Sequence, residues 1–338
     1  MFDRLARYAV ALLLMAFVAM PARADDIAGF YKGRQLRFII GSEPGSEYDI
    51  WARIVARHMG QYLPGKPTIV PQNIPGAGQI IATNHLFNIA ERDGSVIGMI
   101  GRNLPYMALT RNAAVRFDPA RFNWIGSPEV VRRVCAVREA SKVKTLEELR
   151  ERETLFGGAG AGTAVTQTPT LLARLLGLKF KVIEGHRSGP GVMLAVERGE
   201  IDGICITWEA LATSKADALA SGRLRILFNL EPEPIPGAGA PSIYELVRTD
   251  EQRRVLAVFN SSVDLGRPIV APPGVPAERV AALRQAFEQA VADPEMQVEA
   301  SRLRLAITLI KGETLAARVD DLMRTPPELV QAVERLMQ

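Results

Sequence analysis

Two glycine-bearing loops hold the residues whose types and spacing could do chemistry. Gly41-Ser42-Glu43-Pro44-Gly45-Ser46-Glu47-Tyr48-Asp49 separates a strand-like run from a helical one, and Gly157-Gly158-Ala159-Gly160-Ala161-Gly162-Thr163 does the same further along. Glycines let the backbone approach a bound group, and free N–H groups at the start of the following helix favour an anion. The plain alternative for each loop is a tight strand-to-helix turn. The second lacks the G-x-G-x-x-G register of a dinucleotide loop and the Lys-Ser/Thr of a phosphate loop. His58 and His85 lie in helical runs with no His or carboxylate at ligand spacing. No G-x-S-x-G, H-E-x-x-H or C-x-x-C stands anywhere in the chain. The residues therefore point to binding rather than catalysis, with no catalytic group, metal or cofactor expected.

Both loops need a scaffold, and the chain is long enough for one. It has 338 residues, 48% hydrophobic and 23% charged, which fits about two domains and excludes disorder and a disulfide-dense mini-scaffold. From Leu36–Ile40 onward, strand-like and helical runs alternate: a helix carrying Ile50, Ile54, Val55, Met59 and Tyr62, then a strand at Thr68–Val70, a helix through Ile81, Leu86 and Ile89, and a strand at Val96–Ile100. After a loop spanning Asn103–Trp124 the rhythm restarts at Arg133–Val137 and continues to Leu224–Leu230. The β-α-β-α-β order predicts an α/β fold of two lobes, each a mostly parallel sheet flanked by helices. A late strand, Pro268–Ala271, has no local partner and is expected to return to the first sheet. The predicted lobes are 25–103 plus 245–338, and 104–244. In open α/β sheets ligands bind outside the carboxyl ends of strands, so the two loops converge on a site between the lobes.

Residues 1–24 read as a secretory signal. Arg4 and Arg7 precede the apolar Ala9–Met20 and an A-x-A site at Ala22 and Ala24. Cleavage after Ala24 removes Arg4, Arg7, Arg23 and Asp3, so the formal charge of +4 falls to +2. The remaining charge is dispersed, without basic runs or aromatic platforms, and no nucleic-acid partner is expected. Export permits a disulfide between Cys135 and Cys205 but does not require one; a bridge and two buried thiols both remain open.

The run Phe30–Ile40, the loop ending Tyr48-Asp49 with Ala52-Arg53 after it, Gln72-Asn73-Ile74-Pro75-Gly76-Ala77-Gly78, and Asp93-Gly94 resemble the periplasmic substrate-binding receptors of tripartite tricarboxylate transporters, the Bug family. The resemblance continues through Gly185, Arg198–Gly203 and Arg267–Pro276, covering nearly the whole chain after residue 24. It implies a Venus-flytrap (type II) periplasmic binding protein, working as a monomer, that captures a small, carboxylate-bearing ligand and delivers it to membrane transporter subunits. A sensor feeding a signalling protein, or an exported hydrolase, are the rival readings. The resemblance implies ligand contacts from Ser42, Glu43, Gly45, Ser46, Glu47 and Asp49 in the first lobe, from Gly160, Ala161, Gly162 and Thr163 in the second, and from Asp202. His186 and Arg187 are the basic side chains read as nearest the cleft. Gly45-Ser46-Glu47 departs from the family's glycine run, and Glu43 and Glu47 would flank an anion with like charge. Either those two acids turn away, or the ligand is neutral, zwitterionic or cationic.

Overall fold

A computed structural model describes residues 26–159, 163–186, 189–261 and 263–337. Residues 1–24, read above as a secretory signal, lie outside them. Among the described residues eleven strands form two sheets: β1 Gln35–Ile40, β2 Thr68–Asn73, β3 Val96–Met99, β4 Asn123–Ser127, β5 Arg133–Arg138, β6 Thr154–Gly157, β7 Phe180–Ile183, β8 Gly203–Thr207, β9 Leu224–Asn229, β10 Ile269–Ala271 and β11 Ile310–Lys311.

The first sheet has the order β11-β4-β10-β3-β1-β2 and the second β7-β6-β8-β5-β9. The two-lobe α/β class expected from the sequence is what forms, with mixed rather than mostly parallel sheets. β1 runs parallel to β2 and β3, but β10 pairs antiparallel with both β3 and β4. In the second sheet β6 is parallel to β7 and β8, while β5 is antiparallel to β8 and β9. The antiparallel members are β11, at the edge of the first sheet, and the two strands on which the chain enters a lobe, β5 and β10. A strand entering from the cleft runs against strands that end there.

Period-two alternation sends side chains to opposite faces. Leu36, Phe38 and Ile40 of β1 join Trp51, Ile54 and Val55 of the helix Glu47–Met59 in one cluster. Ile39 joins Leu86 and Trp124 in another. The second sheet is layered alike, with Cys135, Val137 and Phe156 on one face and Val134, Ala136 and Ile204 on the other. The late strand does return to the first sheet, as β10.

The lobe boundaries differ from the expected ones. Residues 104–127, read as the start of lobe two, contain the helix Leu104–Leu109 and β4, and β4 sits in the first sheet. At the other end, the helices Asp250–Asn260 and Pro327–Met337 contribute Val255, Leu256, Ala332 and Val333 to the second lobe's core. The sequence pattern missed this because β4 is five residues long and its partners, β10 and β11, lie more than 140 positions away.

Two of the crossings are locked together. Ser127 Oγ donates to Glu129 O at 2.8 Å and accepts from Arg267 N at 2.8 Å. Gly266 takes φ +64, and a Cβ there would lie 2.0 Å from Glu129 O, so only glycine lets the strands pass this closely.

Candidate functional site

The carboxyl ends of β1, β2 and β3, the end of β4 and the start of β10 form one edge of the first lobe. Facing them in the second lobe are the ends of β6, β7, β8 and β9 and the start of β5, as the pairing directions require. This is the crevice where open α/β sheets bind ligands.

The first-lobe loop is built around Asp49, which is 3% exposed. Its carboxylate accepts from Gly45 N at 2.8 Å, from Arg53 Nε at 2.9 Å and from Asn73 Nδ2 at 2.8 Å. Burial alone pushes this carboxyl up, but the hydrogen bonds from Arg53, Gly45 and Asn73 outweigh it and hold the group below its ordinary range. Asn73 Nδ2 also donates to Ser42 O at 2.9 Å. Ser46 caps the helix Glu47–Met59 by accepting from Asp49 N, and its Oγ lies 2.6 Å from Ser42 Oγ. Ser42, Gly45, Ser46 and Asp49 thus come together in one loop. Asp49 acts by shaping the loop, since its oxygens are engaged within it.

The two acids that would oppose an anion are disposed of differently. Glu43 is exposed. Glu47 pairs with Arg267, whose side chain is 4% exposed, also lies 3.2 Å from Glu129 Oε1 and stacks 4.5 Å from the centre of the Tyr48 ring. Trp51 Nε1 donates to the other Glu129 oxygen at 2.9 Å. Burial drives Glu129 up to about 7 although Arg267 opposes it.

Across the cleft, Thr163 caps the helix Ala164–Leu176, accepting from Thr166 N at 3.4 Å. Thr166 Oγ1 in turn accepts from Ala159 N at 3.0 Å, and His186 Nδ1 lies 3.2 Å from Gly158 O. His186 therefore stands on the second-lobe glycine loop. Gly160, Ala161, Gly162 and Arg187 lie outside the described residues. Asp202 is elsewhere: it precedes β8, accepts from Leu155 N at 3.0 Å and pairs with Arg138 at 3.3 Å. β6 and β8 run parallel, with Phe156 beside Gly203, so Asp202 sits at the strands' beginning, away from the cleft loop that follows their ends. The expectation of Asp202 beside the ligand is corrected on that ground.

Residues that were not singled out complete the cleft. Arg102 follows β3, and its backbone N–H donates to Tyr48 Oη at 3.2 Å. Arg133 opens β5 in the second lobe, 4% exposed, with its guanidinium 4.7 Å from the centre of the Phe259 ring. Arg102 is close enough to feel the charges of both Arg133 and Arg267. Gln79, left-handed at φ 76, places its amide against Gly41 and Gly101, and its Oε1 is buried without a partner. Strain and an unsatisfied acceptor together are features that cluster at binding sites. The strand-end rule that picked out the two loops would also have picked out Arg102, had it been applied to β3.

No protein-family model and no curated protein sequence matches the chain. Solved structures do. A TctC solute-binding protein from Polaromonas, solved without ligand, is 19% identical, with 89% of this chain and 99% of that one covered and a TM-score of 0.72. The fold is that of the TctC and Bug solute-binding proteins. The periplasmic binding protein BugD is 20% identical over 90% of this chain and 98% of its own, with a TM-score of 0.57. MatC from Rhodopseudomonas palustris, with malate bound, is 18% identical over 90% and 99%, with a TM-score of 0.58.

Proposed function

We propose that this chain is an exported, non-catalytic receptor that captures a small carboxylate between its lobes and hands it to the membrane subunits of a tripartite tricarboxylate-type transporter. The observation that carries the reading is the charge arrangement of the cleft. Glu47 is neutralised by Arg267, so the acid that would have repelled a carboxylate no longer does, and Arg102 lies within the field of two further arginines from separate elements, Arg133 and Arg267. The capped helix starts at Ser46 and Thr163 add favourable partial charge from either side. A related fold holding malate in MatC supports the same class of ligand. Removal of residues 1–24 during export would place the receptor in the periplasm. Ligand binding then shifts an open/closed equilibrium, and the closed form presents both lobes to the transporter.

The test is differential scanning fluorimetry on the chain from residue 25, refolded from denaturant to strip carried-over ligand. The panel holds mono-, di- and tricarboxylates, amino acids and neutral sugars. A ligand at about 100 times its Kd adds about 2.7 kcal/mol, a shift of several degrees in a chain of this size. The reading predicts such a shift for at least one carboxylate and none for neutral sugars. A flat response to every carboxylate overturns it.

A further inference from the structure

The three cleft arginines are not equivalent. Arg267 has two carboxylates, Glu47 and Glu129, and the face of Tyr48. Arg133 lies over Phe259. Arg102 has neither: its Nη1 is buried without a hydrogen-bond partner, as Arg267 Nη1 also is, but among the described residues the Arg102 guanidinium makes no ion pair at all. The acids whose charge reaches it, Glu47 and Glu129, are already engaged by Arg267, and Glu129 also accepts from Trp51. Its backbone is held in place by Tyr48 Oη, on the helix that also bears the Ser46 cap.

We infer that Arg102 is the specificity-determining residue of the cleft, binding an anionic group of the ligand directly through its guanidinium. The inference rests on the receptor reading and goes beyond it, because helix starts and backbone N–H groups explain anion binding without any arginine. A buried unpaired charge is destabilising unless a counter-charge arrives, and the planar guanidinium offers two parallel N–H groups to a carboxylate. Burial and the like charge of Arg267 both pull the Arg102 guanidinium below its ordinary value. An anion in the cleft removes both penalties. Arg102 would thus be a group whose cost is carried by the empty protein and recovered on binding.

Calorimetric titration of wild type, Arg102→Lys and Arg102→Met with L-malate, succinate and adipate tests this, beside the unfolding midpoint of each empty protein. For any probe the wild type binds, Arg102→Met should weaken affinity at least 30-fold. Arg102→Lys, which keeps the charge but loses the fork, should fall between. The empty Arg102→Met protein should melt at or above the wild-type temperature, since a half-buried charge without an ion-pair partner has been removed. An affinity of Arg102→Met within threefold of wild type, or a lowered midpoint for that empty variant, overturns the inference and leaves the receptor reading standing. Wild type that binds none of the three, nor any other anion in the screen, overturns the receptor reading and this inference with it.

Discussion

The two lobes face the cleft with loops of similar sequence character but secure them by different means. In the first lobe, one buried carboxylate gathers a backbone N–H, an arginine and an asparagine, and the asparagine holds the loop carbonyl at Ser42. In the second, the described contacts of the glycine loop include Gly158 N to Ile183 O, Ala159 N to Thr166, His186 to Gly158 O, and the cap at Thr163. The rigidity of that lobe lies deeper, where Cys135 and Cys205, directly opposite on β5 and β8, form a disulfide in the buried centre of the sheet. One lobe thus presents a loop gathered around a buried carboxylate, and the other a core braced by a disulfide. Preorganisation of the first-lobe loop lowers the ordering cost of binding.

The largest effect should come from the disulfide. It closes a sequence separation of 70 residues, for which the chain-entropy model gives about 4 kcal/mol. Replacing both cysteines with alanine should lower the melting midpoint by roughly 10 °C while leaving carboxylate affinity within about twofold. A loss of affinity as large as the loss of stability would erase the distinction between core brace and cleft surface.

Asp49→Ala should do the reverse. It strands Gly45 N and the Asn73 amide, at about 2 kcal/mol, the ion-pair share being discounted because the Arg53 side chain is 40% exposed. Affinity should fall at least tenfold, read by titration against the same probes, since the loop loses its shape. Unchanged affinity would mean the first-lobe loop is not a binding surface.

The caps allow a matched comparison. Ser46→Ala and Thr163→Ala each remove one N-cap and should each cost about 1 kcal/mol in denaturant unfolding. Ser46→Ala should also weaken affinity, because its Oγ meets Ser42 Oγ in the first-lobe loop.

The smallest effect is on pH dependence, and it concerns the seam between the lobes. Burial drives Glu129 on the first lobe and Glu231 on the second up to about 7, and Asp264 up to about 6. An acid whose value is raised by folding holds more protons folded than unfolded, so stability falls as pH rises from about 4.5 towards 7 and levels off above. Asp49, Asp93, Asp293 and Glu299 are lowered, and their contribution disappears only as pH falls through their folded values, below the ordinary carboxylate range. The melting midpoint should therefore rise on going from pH 7.5 to 5.5. Glu129→Gln and Glu231→Gln should each flatten that rise, and a slope unaltered by either places the titration elsewhere.

Much was legible in the chain before folding. Short apolar runs alternating with helical ones gave the α/β class. The lone strand Pro268–Ala271 foretold a return to the first sheet, and the Ser42–Asp49 loop announced one wall of the cleft. These follow from local pattern, because strand alternation, helix period and turn chemistry act over a few residues. β4, the mixed sheet directions and the pairing of Cys135 with Cys205 were not legible, since each depends on which distant strands become neighbours. The same holds for charge. Sequence alone set Glu43 and Glu47 against an anion, whereas the fold brought Arg267 to Glu47 across 220 positions and carried Asp202 to the far end of its strand. Composition determines how many charges a chain has. Only tertiary structure decides which of them meet, and among the described residues it leaves the Arg102 guanidinium in the cleft without an ion-pair partner of its own.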